Sequence, residues 1–394
     1  MEAQEGPVKA RPTAVLTLLT AAALVSGCGH PGIPSSVVTA TPQTASPVRT
    51  HTAGPVRTHL AGPVRTHTAG PVRTHLAGPV RTHWAGMTAP PLLGVDLYAP
   101  ANYPPAVTQF YGHRMISYIA RTLHARAVGI VWDFYMTRNT ANAVRSTGAT
   151  LTPRNVAALT RFAQADGLQV QYRPLVFVGG NGWEGLVRPA RPRAWFASYY
   201  RAELPYLRLA QRYHVAEFVA ETEMHELVSS PLWGPFFTRA ASVYHGTLSY
   251  ADWDGDYFQG RLLPPGQAGM DMYPRLRLPA TATAGQVQAA MQRTLQQVPA
   301  SLLRRTSIDE TGIEARRGAY HLPAALGHAG APDEAVQAHW YLAVCRLALA
   351  DHMRGVFIWK VDLADDPFQP TRALSVFEGR AGARAISRCA GLLR

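Results

Sequence analysis

From Leu92 onward, short apolar runs alternate with amphipathic stretches, and nothing else in the chain limits its fold so tightly. The runs 92–98, 127–134, 169–178, 217–220, 247–251, 269–272, 306–309 and 355–361 have the length and β-branched or aromatic content of strands. Helical periodicity fills most of the gaps, as in 154–166, 195–213, 284–297 and 333–352. Thr152 followed by Pro153 reads as a helix cap with proline in the first turn. Eight strands, each followed by a helix, in roughly 300 residues predict an α/β fold of the (β/α)8 TIM-barrel kind over 91–394. An open, doubly wound sheet would be expected to carry a Gly-rich phosphate loop after an early strand, and the sequence has none there.

The front of the chain reads differently. Residues 13–25 form an apolar run after Lys9 and Arg11, short for a bilayer span and of the right length for a signal-peptide core. Val25-Ser-Gly-Cys28 resembles a bacterial lipobox, which makes 1–28 a lipoprotein signal and Cys28 the lipidated residue. The expected protein is exported and held at the cell envelope by acyl chains in the membrane, with ordinary secretion as the alternative. Residues 29–90 are rich in Pro, Gly and Thr, and an octapeptide beginning Pro47-Val-Arg-Thr-His recurs five times over 47–86. A proline and a glycine in every unit defeat both helix and central strand, so this segment is expected to be a disordered linker.

The formal net charge of +13 invites a nucleic-acid reading. The repeats hold five of the arginines, and Lys9 and Lys360 are the only lysines. With no basic helix or lysine cluster, no nucleic-acid partner is expected. No cofactor or metal is expected either, and the protein is expected to be a monomer. Cys345 and Cys389 have no metal-ligand spacing; they form either a disulfide or two buried thiols, and the thiols are preferred.

In a barrel, chemistry gathers at the C-terminal ends of the strands. Here those ends are rich in carboxylates and aromatics. Asp96 closes the first strand, Trp132 and Asp133 the second. Arg173 lies in the third, with Trp183 in the loop beyond it. Glu221 and Glu223 end the fourth, Tyr250, Trp253 and Asp254 the fifth, and Asp271 and Tyr273 the sixth. Asp309 and Glu310 end the seventh and Trp359 the eighth. Aromatic faces pack against the C–H faces of sugars while carboxylates and arginine grip hydroxyls, so these residues predict a cleft for a polysaccharide or oligosaccharide.

Cleavage of a glycosidic bond needs one protonated and one ionised carboxyl. Glutamates at the fourth and seventh strand ends face each other across a barrel mouth, about 5–5.5 Å apart in a retaining enzyme. Glu223 is then the acid and later the base, and Glu310 the nucleophile. Arg173 and Tyr273 are placed to favour an ionised Glu310, and burial or Glu221 to favour a protonated Glu223. His225 reads first as a loop cap or a water-facing side chain, with orienting a neighbour as the alternative.

Several stretches carry a resemblance. They are Gly167-Leu-Gln-Val-Gln-Tyr-Arg-Pro174, Gly182-Trp-Glu-Gly185, Thr222-Glu-Met224, Gly246-Thr-Leu-Ser-Tyr-Ala251, Met270-Asp-Met-Tyr-Pro274, Glu310-Thr-Gly312 and Gly355-Val-Phe-Ile-Trp359. In order and spacing they resemble the clan A glycoside hydrolases, most closely the family 113 β-mannanase-type barrels, from about Leu93 to the C-terminus. The resemblance implies a metal-free retaining endo-β-mannosidase activity, with Glu223 as acid/base and Glu310 as nucleophile. The sequence departs from the family with Glu221 in place of Gly, Asp309 in place of Thr, Arg173 in place of Lys and Leu175 in place of His. Two alternatives share the scaffold: a non-catalytic carbohydrate-binding envelope lipoprotein, and a transglycosylase.

Overall fold

A computed structural model describes residues 90–394 except Asn181, 261–266 and His328. The expected signal, Cys28 and the repeat linker lie outside the described residues. Strands β1 (Leu92–Ala99), β2 (Ala127–Met136), β3 (Gln169–Val178), β4 (Glu217–Thr222), β5 (Thr247–Trp253), β6 (Gln267–Asp271), β7 (Ser307–Thr311) and β8 (Gly355–Asp362) close in chain order into one barrel, and every paired neighbour is parallel. The helices are α1 (Pro105–Arg121), α2 (Pro153–Ala165), α3 (Pro192–Arg212), α4 (Trp233–Ala241), α5 (Asp254–Phe258), α6 (Ala284–Thr294), α7 (Ala300–Leu303), α8 (Glu334–Ala350) and α9 (Ala381–Leu392). Their starts follow local chemistry. Thr152 accepts from the Asn155 N–H ahead of Pro153, and Thr283 and Gln286 form a reciprocal capping box. Among the described residues no helix is long and apolar enough to cross a membrane.

Several strands run further than their apolar cores. Thr222 still pairs with Ala251, Trp253 with Asp271, and Thr311 with Ile358. The register slips between Val219 and Thr222, between Met270 and Asp271, and between Ile308 and Thr311. Such irregularities near a barrel rim re-aim side chains, and here they flank the ends of β4, β6 and β7.

The barrel is wrapped by aromatics. Trp132 lies outside the sheet, stacked on Tyr206 of α3 at 4.6 Å and edge-on to Tyr172 at 5.6 Å, fully buried. Burial of a large apolar side chain contributes about 1.5–3 kcal/mol. Trp132 therefore belongs to the core, not to the expected sugar platform. Tyr250 is likewise part of the buried core and not of the cleft lining. Period-two alternation sends Asp133 to the opposite face from Trp132. The interior is polar for a barrel, with Asp96, Gln171, Arg173, Glu217 and Asp309 all buried. Gly129 makes room for this: a Cβ there would meet Asp96 Oδ1 at 2.1 Å.

Cys345 of α8 and Cys389 of α9 form a disulfide, with Cα atoms 5.8 Å apart, and both are buried. This corrects the preference for free thiols, since packing of α8 on α9 supplies a distance that sequence cannot. The link closes a loop of sequence separation 44. Replacing both cysteines with alanine is expected to lower unfolding free energy by about 2–4 kcal/mol. Denaturant titration of parent and double variant, each with and without reductant, checks this: reductant should destabilise only the parent.

Candidate active site

β4 ends at Thr222, and the chain then turns abruptly. Glu223 has φ 52°, a left-handed conformation that non-glycine residues seldom adopt. Three hydrogen bonds hold the turn. The Glu223 N–H donates to Ala251 O at 2.8 Å, the Met224 N–H to Glu221 Oε1 at 2.5 Å, and the His225 N–H to Glu223 O at 2.7 Å. Glu221, the expected neighbour in charge, is thus buried as a brace for this turn. Backbone strain of this kind, where the surroundings enforce it, is a mark of functional positions.

The Trp183 indole N–H donates to Glu223 Oε2 at 2.7 Å. Burial foremost, then the charges of Glu184 and Glu310, raise the Glu223 pKa well above that of an ordinary glutamate. A carboxyl treated in this way holds its proton more tightly than an ordinary glutamate, as suits a general acid.

Glu310, on β7, has other neighbours. The Tyr273 hydroxyl donates to Oε1 at 2.6 Å, and Arg173 Nη2 lies 2.9 Å from Oε2. Each oxygen faces a donor and one donor is a cation, which suits a carboxylate that attacks carbon. Glu310 is also partly open, at 13% side-chain exposure, whereas Arg173 has none.

Arg173 underlies the whole arrangement. Its guanidinium contacts Asp96 at 3.4 Å, the Asp309 carbonyl at 2.6 Å, Asp271 and Glu310. Burial works against its charge, but the surrounding carboxylates outweigh that and raise its pKa. Burial raises the pKa of Asp96 and Asp271, with Arg173 opposing. Asp96, Arg173 and Asp271 are all fully buried, so they hold Glu310 through a buried charge network and do not grip sugar hydroxyls as expected.

The other expected residues divide in the same way. Asp254 accepts the Tyr273 N–H at 2.8 Å and is buried, which fixes the tyrosine that holds Glu310. Burial pushes its pKa to about 7. Asp133 accepts the Tyr98 hydroxyl at 2.7 Å, with a pKa pushed up to about 6 by burial. Trp183, Trp253 and Trp359 are partly exposed rings at the rim. Trp183 meets Trp253 edge-on at 5.6 Å, and Trp359 lies 5.5 Å from Tyr98 with the Arg173 guanidinium 5.9 Å from its ring.

Glu184 was not anticipated at the site, and for His225 the structure favours the alternative reading. His225 stacks on Trp183 at 6.2 Å, meets Trp253 edge-on at 5.2 Å, and is held by Asp256 through Nδ1 at 2.8 Å. It packs against the tryptophan that donates to Glu223, which is the orienting reading and not the loop cap. Glu184 follows Trp183 directly, and burial, then the charges of Glu310 and Asp133, push its pKa up to about 8. Its adjacency to a cleft tryptophan is the one sequence signal that could have found it. Among the described residues no cluster of three or more His, Cys, Asp or Glu side chains is arranged to hold a metal ion.

A family model described as Glycoside Hydrolase Family 113 matches residues 114–369. No curated protein matches the sequence. Among solved structures, the family 113 β-mannanase of Alicyclobacillus acidocaldarius is 17% identical with a TM-score of 0.65, over 79% of this chain and 100% of that one. Two other β-1,4-mannanase structures of family 113 are 15% and 16% identical, with TM-scores of 0.64 and 0.61, each over 76% of this chain and 98% of its own. At these identities the likeness is one of fold.

Proposed function

Since this chain belongs to Glycoside Hydrolase Family 113, we propose that it is a retaining glycosidase acting on a β-linked polysaccharide, with Glu223 as acid/base and Glu310 as nucleophile. The observation that carries the reading is the different surroundings of two glutamates, of which only Glu310 has a cation in contact. Burial and like charge raise the pKa of Glu223 against the opposing Trp183 N–H and Arg173, while a guanidinium and a phenol grip Glu310.

The chemistry follows from that asymmetry. Glu310 attacks the anomeric carbon as Glu223 gives its proton to the departing glycosidic oxygen, leaving a glycosyl ester on Glu310. Glu223, now ionised, takes a proton from water, and that water attacks the same carbon and restores Glu310. Two displacements return the original anomeric configuration. Trp183, Trp253 and Trp359 offer stacking faces for the sugar rings at the rim. The carboxylate-rich floor suits an uncharged polymer better than a phosphorylated one. The likeness to mannanases makes β-1,4-mannan the first substrate to test. The lipobox-like Val25-Ser-Gly-Cys28 and the repeat segment support export and lipid anchoring at the cell envelope, with the repeats as a tether.

The test offers β-1,4-mannan, glucomannan, xylan and cellulose to the purified protein, following reducing ends and the first-formed anomer by proton NMR. Release of reducing ends with the β-anomer appearing first is expected. The α-anomer first, or sugar binding without release across the panel, overturns the reading.

A further inference from the structure

The run Asp252-Trp-Asp-Gly-Asp256 crowds three carboxyls and a tryptophan where β5 passes into α5. Asp254 reaches Glu310 through a tyrosine: it accepts the Tyr273 N–H at 2.8 Å, and the Tyr273 hydroxyl donates to Glu310 at 2.6 Å. Asp256 stands two residues on, and side chains at i and i+2 of a helix do not share a face. It meets His225 instead, whose Nδ1 lies 2.8 Å from Oδ1 and 3.0 Å from Oδ2. The Asp256 side chain is fully buried. α5 itself is pinned to β6, because the Tyr257 hydroxyl donates to the Gly269 carbonyl at 2.8 Å. Gly255 lets the turn close on Trp253, since a Cβ there would meet Trp253 Cη2 at 2.4 Å.

With its Nδ1–H on the carboxylate, the His225 ring is fixed in both tautomer and rotation. It lies nearly parallel to the Trp183 indole, with 17° between the planes and 6.2 Å between the centroids. Trp253 meets both rings edge-on, at 5.2 Å from His225 and 5.6 Å from Trp183. Packed against these two rings, the indole presents its N–H to Glu223 Oε2 at 2.7 Å. The His225 backbone acts on the same glutamate, its N–H donating to the Glu223 carbonyl at 2.7 Å. The indole N–H favours the ionised form of Glu223, so what it supplies to the acid is orientation.

We propose that Asp256 is a positioning residue for the acid/base: through His225 it sets the Trp183 indole, and the indole sets the direction in which Glu223 presents its proton. The proposal rests on the reading of Glu223 as acid/base. One short helix then serves both carboxyls. Asp254 steadies Glu310 through Tyr273, and Asp256 steadies Glu223 through His225 and Trp183.

A poor leaving group needs the proton of the acid, and a good one does not. kcat/KM is therefore measured on phenyl and 2,4-dinitrophenyl β-glycosides of mannobiose and cellobiose. The proteins compared are the parent, Asp256→Leu, Asp256→Asn and His225→Phe, with Glu223→Ala as control. Leucine keeps the volume of Asp256 and removes the acceptor, while phenylalanine keeps the ring of His225 and removes Nδ1. Asp256→Leu and His225→Phe should each lose about 10²-fold on the phenyl glycosides, the scale of a misplaced catalytic group. On the dinitrophenyl glycosides the loss should stay below about threefold. Asp256→Asn, whose amide oxygen can accept from Nδ1–H, should recover most of the loss. The Trp183 indole N–H resonance, identified in ¹⁵N-labelled protein by its absence from Trp183→Phe, should shift in Asp256→Leu. Equal losses on both leaving groups, no loss on the phenyl glycosides, no recovery in Asp256→Asn, or an unmoved Trp183 resonance overturns the proposal. Where Asp256→Leu does not fold, His225→Phe decides by the same readings. Glu223→Ala should split the two leaving groups most widely. Without that split, or without cleavage by the parent, the acid/base reading fails by itself, and the Trp183 resonance still decides whether Asp256 sets the indole.

Discussion

Glu310→Gln is expected to fold as the parent does and to lose about 10⁴-fold or more in kcat, in line with removal of a covalent nucleophile. The amide fills the space of the carboxylate and can still accept from the Tyr273 hydroxyl. Arg173 loses one ionic partner but keeps Asp96, Asp271 and the Asp309 carbonyl, so the support beneath the site stands. What disappears is the negative oxygen that must bond to carbon. A second variant, Glu310→Ala, opens space on the same side. Azide there should restore turnover and yield a glycosyl azide of inverted configuration, because a small anion replaces the missing carboxylate in a single displacement. Near-parental turnover by Glu310→Gln, or azide rescue at Glu223→Ala and not at Glu310→Ala, would remove Glu310 from the role assigned to it.

The barrel was legible because each strand is an apolar run set off by turns, and eight such runs admit few closures. The rim was less so. Glu221, Trp253 and Glu310 are polar or bulky, and a hydrophobic pattern stops short of them, yet each belongs to a strand. The φ of 52° at Glu223 leaves no trace in composition, since glutamate has no preference for that conformation. The error at Trp132 was avoidable in principle. β2 is apolar on both faces, so alternation alone could not choose the inner one, but Asp133 next door marks the inside, and adjacent residues point oppositely. Asp96, Arg173 and Asp271 were placed at the site by the strand-end rule, which says nothing about depth. All three are fully buried and joined to Glu310 through the Arg173 guanidinium, where burial makes them a charge network and keeps them from a sugar. Glu184 and His225 lie in loops, where no periodicity announces position. The pairing of Cys345 with Cys389 depends on how two helices pack, a fact of the folded state alone.

That buried network supplies the largest expected effect on stability. Arg173→Met should cost about 3–5 kcal/mol, the usual penalty when one partner of a buried ion pair is removed and the other is left unmatched. Methionine fills much of the volume, so loss of packing is a small part of it. The variant leaves Asp96 and Asp271 buried with no cation, and Glu310 without its guanidinium. The sign with pH is fixed by linkage. Burial already raises both aspartates with Arg173 present, and without it they rise further. Above the ordinary aspartate pKa of about 4 the folded variant then holds more protons than the unfolded chain, so its stability falls as pH rises toward the folded values. Its deficit against the parent should therefore be at least as large at pH 8 as at pH 5, and larger wherever the parental aspartates have ionised and the variant's have not. Arg173→Lys should fall between the two, because one ammonium cannot span Asp96, Asp271, Glu310 and the Asp309 carbonyl at once as a planar fork does. Denaturant unfolding of the three proteins at both pH values is the measurement. A deficit for Arg173→Met below about 1 kcal/mol, the scale of an exposed pair, or one that shrinks toward pH 8, would mean that the guanidinium does not hold these carboxylates together.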